Sequence, residues 1–311
     1  MKTEVNSFLS SDGKHRLPTV TWLPETGVKP KAILQIVYGM AEYAQRYEPV
    51  AQYFTSQGFI VATHDHLGHG GAVRSDKEYG YFGPKGAEHL IADTYARTQQ
   101  LQDHYPNTPI YLLGHSMGSI IAALYMAQHW YAVHGLILMG SVYLPPILPP
   151  LMPLIRLKAR ITGRQPDRLL NAAAFGPYSR RFDHHDFFSW LSSDADSVAR
   201  YEADPKLGFT FTTNGFLTLF TLLTDQEKMQ WYRQSPKDFP ILITSGQLDA
   251  VGDFGKEPKA IAEHLTHDGF VNVLEKQWPD LRHELFFEKD TAAVEAYLAN
   301  WMLANLGNHP L

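Results

Sequence analysis

Short apolar runs punctuate the chain at 32–37 (AILQIV), 59–64 (FIVATH), 110–113 (IYLL), 136–139 (LILM), 241–244 (ILIT) and 271–276 (VNVLEK). Each ends in small or polar residues and is shorter than an ordinary helix, which is how strands buried on both faces read. Between several of them apolar positions recur at helical spacing, over 46–57, 86–104, 117–130 and 291–306. Strand, helix, strand repeated in this way predicts an α/β fold: a mostly parallel central sheet with helices on both faces. Upstream, residues 3–24 alternate around SSDGK, the pattern of a β-hairpin with an Asp-Gly turn. In such sheets a ligand site lies beyond the carboxyl ends of the strands. The residues after each apolar run therefore carry the functional information.

The alternation breaks between 142 and 236. That stretch opens on VYLPPILPPLMPLIRLKARITGR, where the proline density argues against both a long helix and a central strand. It continues through the aromatic-rich YSRRFDHHDFFSWLSSD and GFTFTTNGFLTLFTLLTD before DFPILITSG restores a strand. The expectation is a core of 1–141 and 237–311 with 142–236 inserted as a cap over the site. FLTLFTLL (216–223) has helical spacing and reads as cap core first; the uncharged apolar run YLPPILPPLMPLI suggests a cap that lines an acyl channel and makes transient contact with lipid aggregates.

Composition narrows the chemistry. The chain has 311 residues, a net charge of −5 and no long basic run, so nucleic acid is not an expected partner. With Cys 0, disulfides, thiolate metal sites and cysteine nucleophiles are all excluded. The first residues, MKTEVNSFLSSDGKHRL, lack the apolar core of a signal peptide, and no apolar stretch reaches the roughly eighteen residues of a membrane span. A soluble cytoplasmic location is the expectation, with the oligomeric state left open.

Against that background LLGHSMGS (112–119) stands out. Gly114-His115-Ser116-Met117-Gly118 follows a strand and precedes a helix, the setting in which Gly-x-Ser-x-Gly acquires meaning. A turn this sharp strains the backbone and leaves no room for a Cβ on either side. It lifts the serine hydroxyl above the helix N-terminus and aims the Met117 N–H at a developing oxyanion. A serine needs a base, and the base needs an orienting carboxylate. Of the downstream histidines, His283 lies in WPDLRHELFFE, between the last strand and the last helix; His184 and His185 fall in the insertion and His309 in the tail. Asp249 follows the strand ILIT closely in SGQLD, and Asp253 in VGDFG is its rival; Asp249 is preferred because it is nearer the rigid strand end. Asp280 and Glu284 flank His283 and read as solvated.

Four stretches together, 38–72, 112–119, 245–255 and 278–288, resemble the α/β-hydrolase superfamily, and within it the monoacylglycerol lipase and lysophospholipase-like serine hydrolases. The resemblance implies Ser116 as nucleophile, Asp249 as acid, His283 as base, and a cap at the insertion. It also implies a second oxyanion donor: the family's His-Gly-x-Gly-Glu-His loop corresponds to Tyr38-Gly39-Met40-Ala41-Glu42-Tyr43, which puts Met40 in the donor position. Tyr38, Ala41 and Tyr43 depart from that pattern and leave the shape of the loop open. The histidines of THDHLGHGG (63–71) suggest metal at first sight, but Gly68 stands where a metallohydrolase aspartate would; Asp65 and His69 are expected to make structural hydrogen bonds instead. No metal and no cofactor is expected.

The function so implied is a serine carboxylester hydrolase that cleaves monoacylglycerol, lysophospholipid or similar small acyl esters through an acyl-enzyme. An acyltransferase, an amidase or aminopeptidase with the same three residues, and a catalytically silent ligand-binding protein are the alternatives.

Overall fold

A computed structural model describes residues 1–182 and 186–307; His184, His185 and His309 lie outside the described residues. The strands are β1 (Lys2–Leu9), β2 (Arg16–Leu23), β3 (Ile33–Val37), β4 (Ile60–His64), β5 (Ile110–His115), β6 (Gly135–Met139), β7 (Ile241–Gly246) and β8 (Val273–Trp278). They form one sheet in the order β1-β2-β4-β3-β5-β6-β7-β8. The hairpin β1–β2 and the β2–β4 pair are antiparallel, and every pairing from β4 across to β8 is parallel.

Helices α1 (Glu48–Ser56), α2 (Gly86–His104) and α3 (Met117–His129) make the crossovers as far as β6. There the chain leaves the sheet for α4 (Leu148–Thr162), α5 (Arg168–Ser179), α6 (Ala195–Ala203) and α7 (Thr213–Met229), and returns at β7. Helix α8 (Lys256–His267) links β7 to β8, and α9 (Ala292–Ala304) closes the described chain. Among the described residues no helix is long and apolar enough to cross a membrane.

Strand periodicity divides the core in two. Ile33 and Val37 of β3, Leu112 of β5 and Leu138 of β6 point to one face, where α2, α3 and the insertion's α7 pack. Leu34 and Ile36, Leu113, and Ile137 with Met139 point to the other, against Val50 and Phe54 of α1 and Leu298 and Met302 of α9. Because both faces are covered, β3 to β7 are buried along their whole length. That explains why they appear in the sequence as unbroken apolar runs rather than alternating ones. Each such side chain contributes about 1.5–3 kcal/mol on burial, so the sheet is a rigid base for the loops at its carboxyl edge.

One expectation is corrected. The proline-dense opening of the insertion does form a long helix, α4. Pro149 and Pro150 fall in its first turn, where a backbone N–H has no partner inside the helix, so their lack of one costs nothing. Only Pro153 sits deeper and removes a helical hydrogen bond. Helix α8, which was not among the expected helical segments, buries Pro258 and Leu265 and packs Ile261 and Ala262 against the same core.

Candidate active site

Ser116 lies at the junction of β5 and α3 with φ 54° and ψ −121°, a conformation L-residues avoid. The close packing beneath the turn enforces it. A Cβ on Gly118 would collide with the Val37 carbonyl oxygen of the neighbouring strand, so α3 can start this near the sheet only with glycine there. The Ser116 N–H is held by the Met139 carbonyl at 3.0 Å, and Ser119 caps the Ser116 carbonyl from both its N–H (2.8 Å) and its hydroxyl (2.7 Å). Among the described residues the Ser116 hydroxyl itself has no hydrogen-bond partner, and the residue lines a cavity of about 440 Å³.

The loop after β3 runs beside it: a Cβ placed on Gly39 would lie 3.0 Å from Ser116 Cβ. In this loop the Gly39 N–H donates to Glu42 Oε1 at 3.0 Å and the Ala41 N–H to His69 Nε2 at 3.1 Å. Among the described residues the N–H groups of Met40 and Met117 have no acceptor, and both residues line the cavity.

The departures Tyr38, Ala41 and Tyr43 have structural replacements. The Tyr38 hydroxyl donates to Asp65 Oδ1 (3.2 Å) and accepts from the His66 N–H (2.8 Å). Ala41 takes φ 56°, the left-handed conformation that glycine adopts more cheaply. The Tyr43 hydroxyl donates to Asp204 Oδ2 at 2.8 Å, tying the loop to the end of α6. Asp65 also accepts from the Ala44 and Gly71 N–H groups, at 2.8 and 2.7 Å. His69 donates from Nδ1 to the Leu67 carbonyl at 3.0 Å, which leaves Nε2 as the acceptor for Ala41. Burial, only partly offset by that bond, pushes His69 down to about 4, so it stays neutral and keeps this acceptor.

Asp249 follows β7 and is fully buried. Its Oδ1 accepts from the Val251 N–H at 2.9 Å, and both its oxygens lie 3.0 Å from His283 Nδ1. The two loops are joined by Leu248 N–H to the Leu281 carbonyl (2.9 Å) and Gln247 N–H to the Trp278 carbonyl (2.9 Å). Gly246 permits this approach, since a Cβ there would meet the carbonyls of Leu281 and Arg282. With Nδ1–H donated to Asp249, His283 Nε2 is the lone-pair nitrogen, and the residue lines the same cavity as Ser116. The rival Asp253 is half-exposed and pairs with Lys256 at 2.9 Å, away from His283. Asp280 is exposed as expected, but Glu284 is not solvated: it is buried and takes a two-pronged hydrogen bond from Arg46, 2.7 Å in each prong.

The insertion supplies most of the cavity wall. Leu148, Leu151 and Ile155 of α4, Phe175 of α5, and Leu219 and Phe220 of α7 line its apolar part, with Trp190 5.3 Å from the His283 ring. Helix α7 thus packs into the core on one side and forms cavity wall on the other. The pairing of Arg46 with Glu42 was readable from their spacing of four, and the structure forms it at 2.7 Å, whereas Trp190 and Glu288 escaped sequence reasoning. Glu288 accepts from the Arg282 N–H (2.6 Å), the Ser193 N–H (2.8 Å) and the Ser192 hydroxyl (3.0 Å), which fastens the insertion to the His283 loop. The Glu-x-x-x-Glu spacing of Glu284 and Glu288 after a histidine was the available signal.

This chain is similar in sequence to known proteins and in structure to solved ones. A family model described as serine aminopeptidase, S33, matches residues 28–290. The monoglyceride lipase of Mus musculus is 30% identical over 290 residues, covering 90% of this chain and 87% of that protein. The monoacylglycerol lipase of Mycolicibacterium smegmatis is 25% identical over 296 residues, covering 94% and 95%. A thermostable carboxyl esterase from Bacillus coagulans, solved in complex with glycerol, superposes with a TM-score of 0.89 at 29% identity, covering 98% of this chain and 99% of that one.

Proposed function

The chain belongs to the α/β-hydrolase family described as serine aminopeptidase, S33, as a serine hydrolase related to monoglyceride lipases and esterases, and from that premise we propose that it hydrolyses monoacylglycerols, lysophospholipids or similar small acyl esters with Ser116, His283 and Asp249 as its catalytic residues. His283 Nε2 takes the proton of Ser116 as the hydroxyl attacks the ester carbonyl. The free N–H groups of Met40 and Met117 receive the oxyanion. His283 returns the proton to the leaving alcohol, and water then repeats the cycle on the acyl-enzyme. Asp249 fixes the imidazole tautomer and stabilises its charged form.

The observation that carries this reading is the strained, unpartnered Ser116 beside two unpaired N–H groups in a largely apolar cavity. The same cavity favours an acyl ester over a peptide N-terminus. A free ammonium would need a carboxylate, and among the described residues the two carboxylates lining the cavity, Glu42 and Glu284, are already engaged by Arg46. The insertion then acts as a cap whose apolar wall holds the acyl chain.

Its outer surface supports contact with lipid aggregates. Ile147, Leu154, Leu157, Ile161 and Leu169 are exposed there beside the exposed Arg156, Arg160 and Arg168. Apolar side chains rimmed by arginines suit an interface with anionic headgroups.

The test is hydrolysis of p-nitrophenyl esters and monoacylglycerols across acyl lengths, run beside Ser116→Ala. Activity is expected to rise from two to about ten carbons and to fall by about 10⁶ in the variant. Equal activity of wild type and Ser116→Ala, or a preference for aminoacyl amides, would refute the reading.

A further inference from the structure

Behind Ser116 lies a buried set of charged side chains to which the hydrolytic steps assign no part. Arg46 Nη1 donates to Glu42 Oε2 and to Glu284 Oε1, and Nη2 donates to Glu284 Oε2, each at 2.7 Å. The guanidinium is sandwiched between the rings of Phe287 and Tyr201, 3.8 and 4.9 Å from their centroids. Glu42 Oε1, which accepts from the Gly39 N–H, also faces His115 Nδ1 at 3.3 Å. The other ring nitrogen, His115 Nε2, faces the His283 carbonyl oxygen at 3.3 Å. The remaining polar neighbours of His115 are the Tyr47 hydroxyl, 3.5 Å from Nδ1, and the His283 ring, 5.0 Å between centroids.

The oxygens nearest the two nitrogens of His115, each at 3.3 Å, can only accept; the Tyr47 hydroxyl, which could donate to Nδ1, lies farther off at 3.5 Å and is itself hydrogen-bonded to Glu42. A neutral imidazole donates from one nitrogen and would set the other lone pair to lone pair. Charge counting gives the same answer. Two carboxylates, 2% and 3% exposed, face one guanidinium. An uncompensated buried charge is strongly destabilising.

We propose that His115 is a buried imidazolium that brings this cluster to neutrality, and that His115 and Arg46 are positioning residues holding the oxyanion loop (39–43) and the His283 loop against the Ser116 turn. The cluster joins all three: Glu42 belongs to the first loop, Glu284 to the second, and His115 directly precedes Ser116. Burial alone pushes His115 toward its neutral form, but the hydrogen bond and charge of Glu42, with Glu284 behind it, outweigh burial and raise its pKa. Burial likewise pushes Glu42 up, and the Arg46 charge together with His115 brings it down to about 2.

The positioning role rests on the reading of Ser116 as nucleophile; the protonation state does not, and it is measured without substrate. In the full chain labelled with ¹⁵N-histidine, His115 is assigned by the signal lost in His115→Gln. At pH 7 both its ring nitrogens are expected to be protonated, and one bare nitrogen in the wild type overturns the proposal; should His115→Gln fail to fold, correlation of the ring signals with the His115 backbone in the wild type supplies the assignment. On a soluble ester, His115→Gln is expected to lose about tenfold or more in kcat with KM within about twofold, because geometry rather than binding suffers. Wild type is expected to lose kcat at alkaline pH as His115 deprotonates, and His115→Gln to lack that limb. Arg46→Lys, which keeps the charge but not the fork, is expected to retain more kcat than Arg46→Gln. Unchanged kcat and an unchanged pH profile in His115→Gln would overturn the positioning role. Full activity in Ser116→Ala would instead remove the nucleophile reading and leave the nitrogen signals as they are.

Discussion

The two halves of the insertion are built differently. Residues 188–214 are fastened to the core at every step. Glu284 N–H donates to the Leu191 carbonyl (2.8 Å), Gly208 N–H to the Ala41 carbonyl (3.1 Å), and the Thr212 hydroxyl to the Gly80 carbonyl (2.8 Å); Asn214 bonds to Phe82 and Gly83. Among the described residues helix α4 makes no hydrogen bond to the core: its polar ties, Lys158 to Asp167 (2.6 Å) and Thr162 to Thr213 (3.1 Å), stay within the insertion, and it packs on α7 through Met152 and Ile155 and leaves Leu154 and Ile161 64% and 77% exposed. One half frames the loops around Ser116 and His283, where small displacements are costly. The other lines the apolar end of the cavity, where a flexible chain of variable length would lie. Polar bonds fix geometry, while apolar contacts tolerate sliding, so the fixed half is expected to govern the chemical step and the outer half the choice and delivery of substrate.

The largest effect that sharpens this contrast lies in the framed chemistry. Asp249→Asn is expected to lower kcat by about 10⁴, and Asp253→Asn by less than about twofold; the reverse order in a p-nitrophenyl ester assay would reassign the acid. Next is the tie itself. Glu288→Gln weakens the acceptor for Arg282, Ser192 and Ser193. It is expected to cost about 1–3 kcal/mol in urea unfolding and to slow short and long esters alike. A loss confined to long chains would break the division of labour. Leu154→Ser combined with Ile161→Ser on α4 is expected to reduce turnover of long-chain monoacylglycerol on anionic vesicles several-fold, with a soluble short ester unaffected; a parallel fall in both assays would contradict it.

Smaller effects concern stability. Glycine fits the φ 56° of Ala41 without strain, so Ala41→Gly is expected to gain about 0.5 kcal/mol after its greater unfolded-chain entropy is subtracted, readable as a small rise in Tm. The cluster behind Ser116 sets a pH window. Glu42, lowered from 4.5 to about 2, stabilises the fold above 4.5 and loses that contribution as pH falls toward 2. His115, raised above 6.5, stabilises fully below 6.5 and loses its contribution as pH rises through the elevated value. Melting scans across pH are expected to show a plateau between these limits, with a shallower acid limb in Glu42→Gln.

Some of this was legible in the sequence and some was not, for physical reasons. Strands β3 to β7 announced themselves because parallel strands buried on both faces cannot alternate. The turn at Ser116 was legible because only glycine fits beneath it, and His283 because it lies between the last strand and the last helix. Helix α4 was hidden because proline's effect depends on its position in a helix, which composition does not show. Glu284 was misread as solvated because its partner, Arg46, is 238 residues away. Pairings at such separation exist only once the sheet has brought β3 and β8 to the same edge. The Tyr43–Asp204 bond, which ties the loop after β3 to the insertion, was invisible for the same reason.

The central claim is that one serine hydroxyl, at 116, is the reactive group of the cavity. Incubation with a fluorophosphonate, followed by intact-mass and peptide mapping, tests it directly. The account predicts a single adduct on the peptide carrying Ser116, absent from Ser116→Ala and strongly slowed in His283→Ala. An adduct on another residue, or equal labelling of wild type and Ser116→Ala, would contradict it.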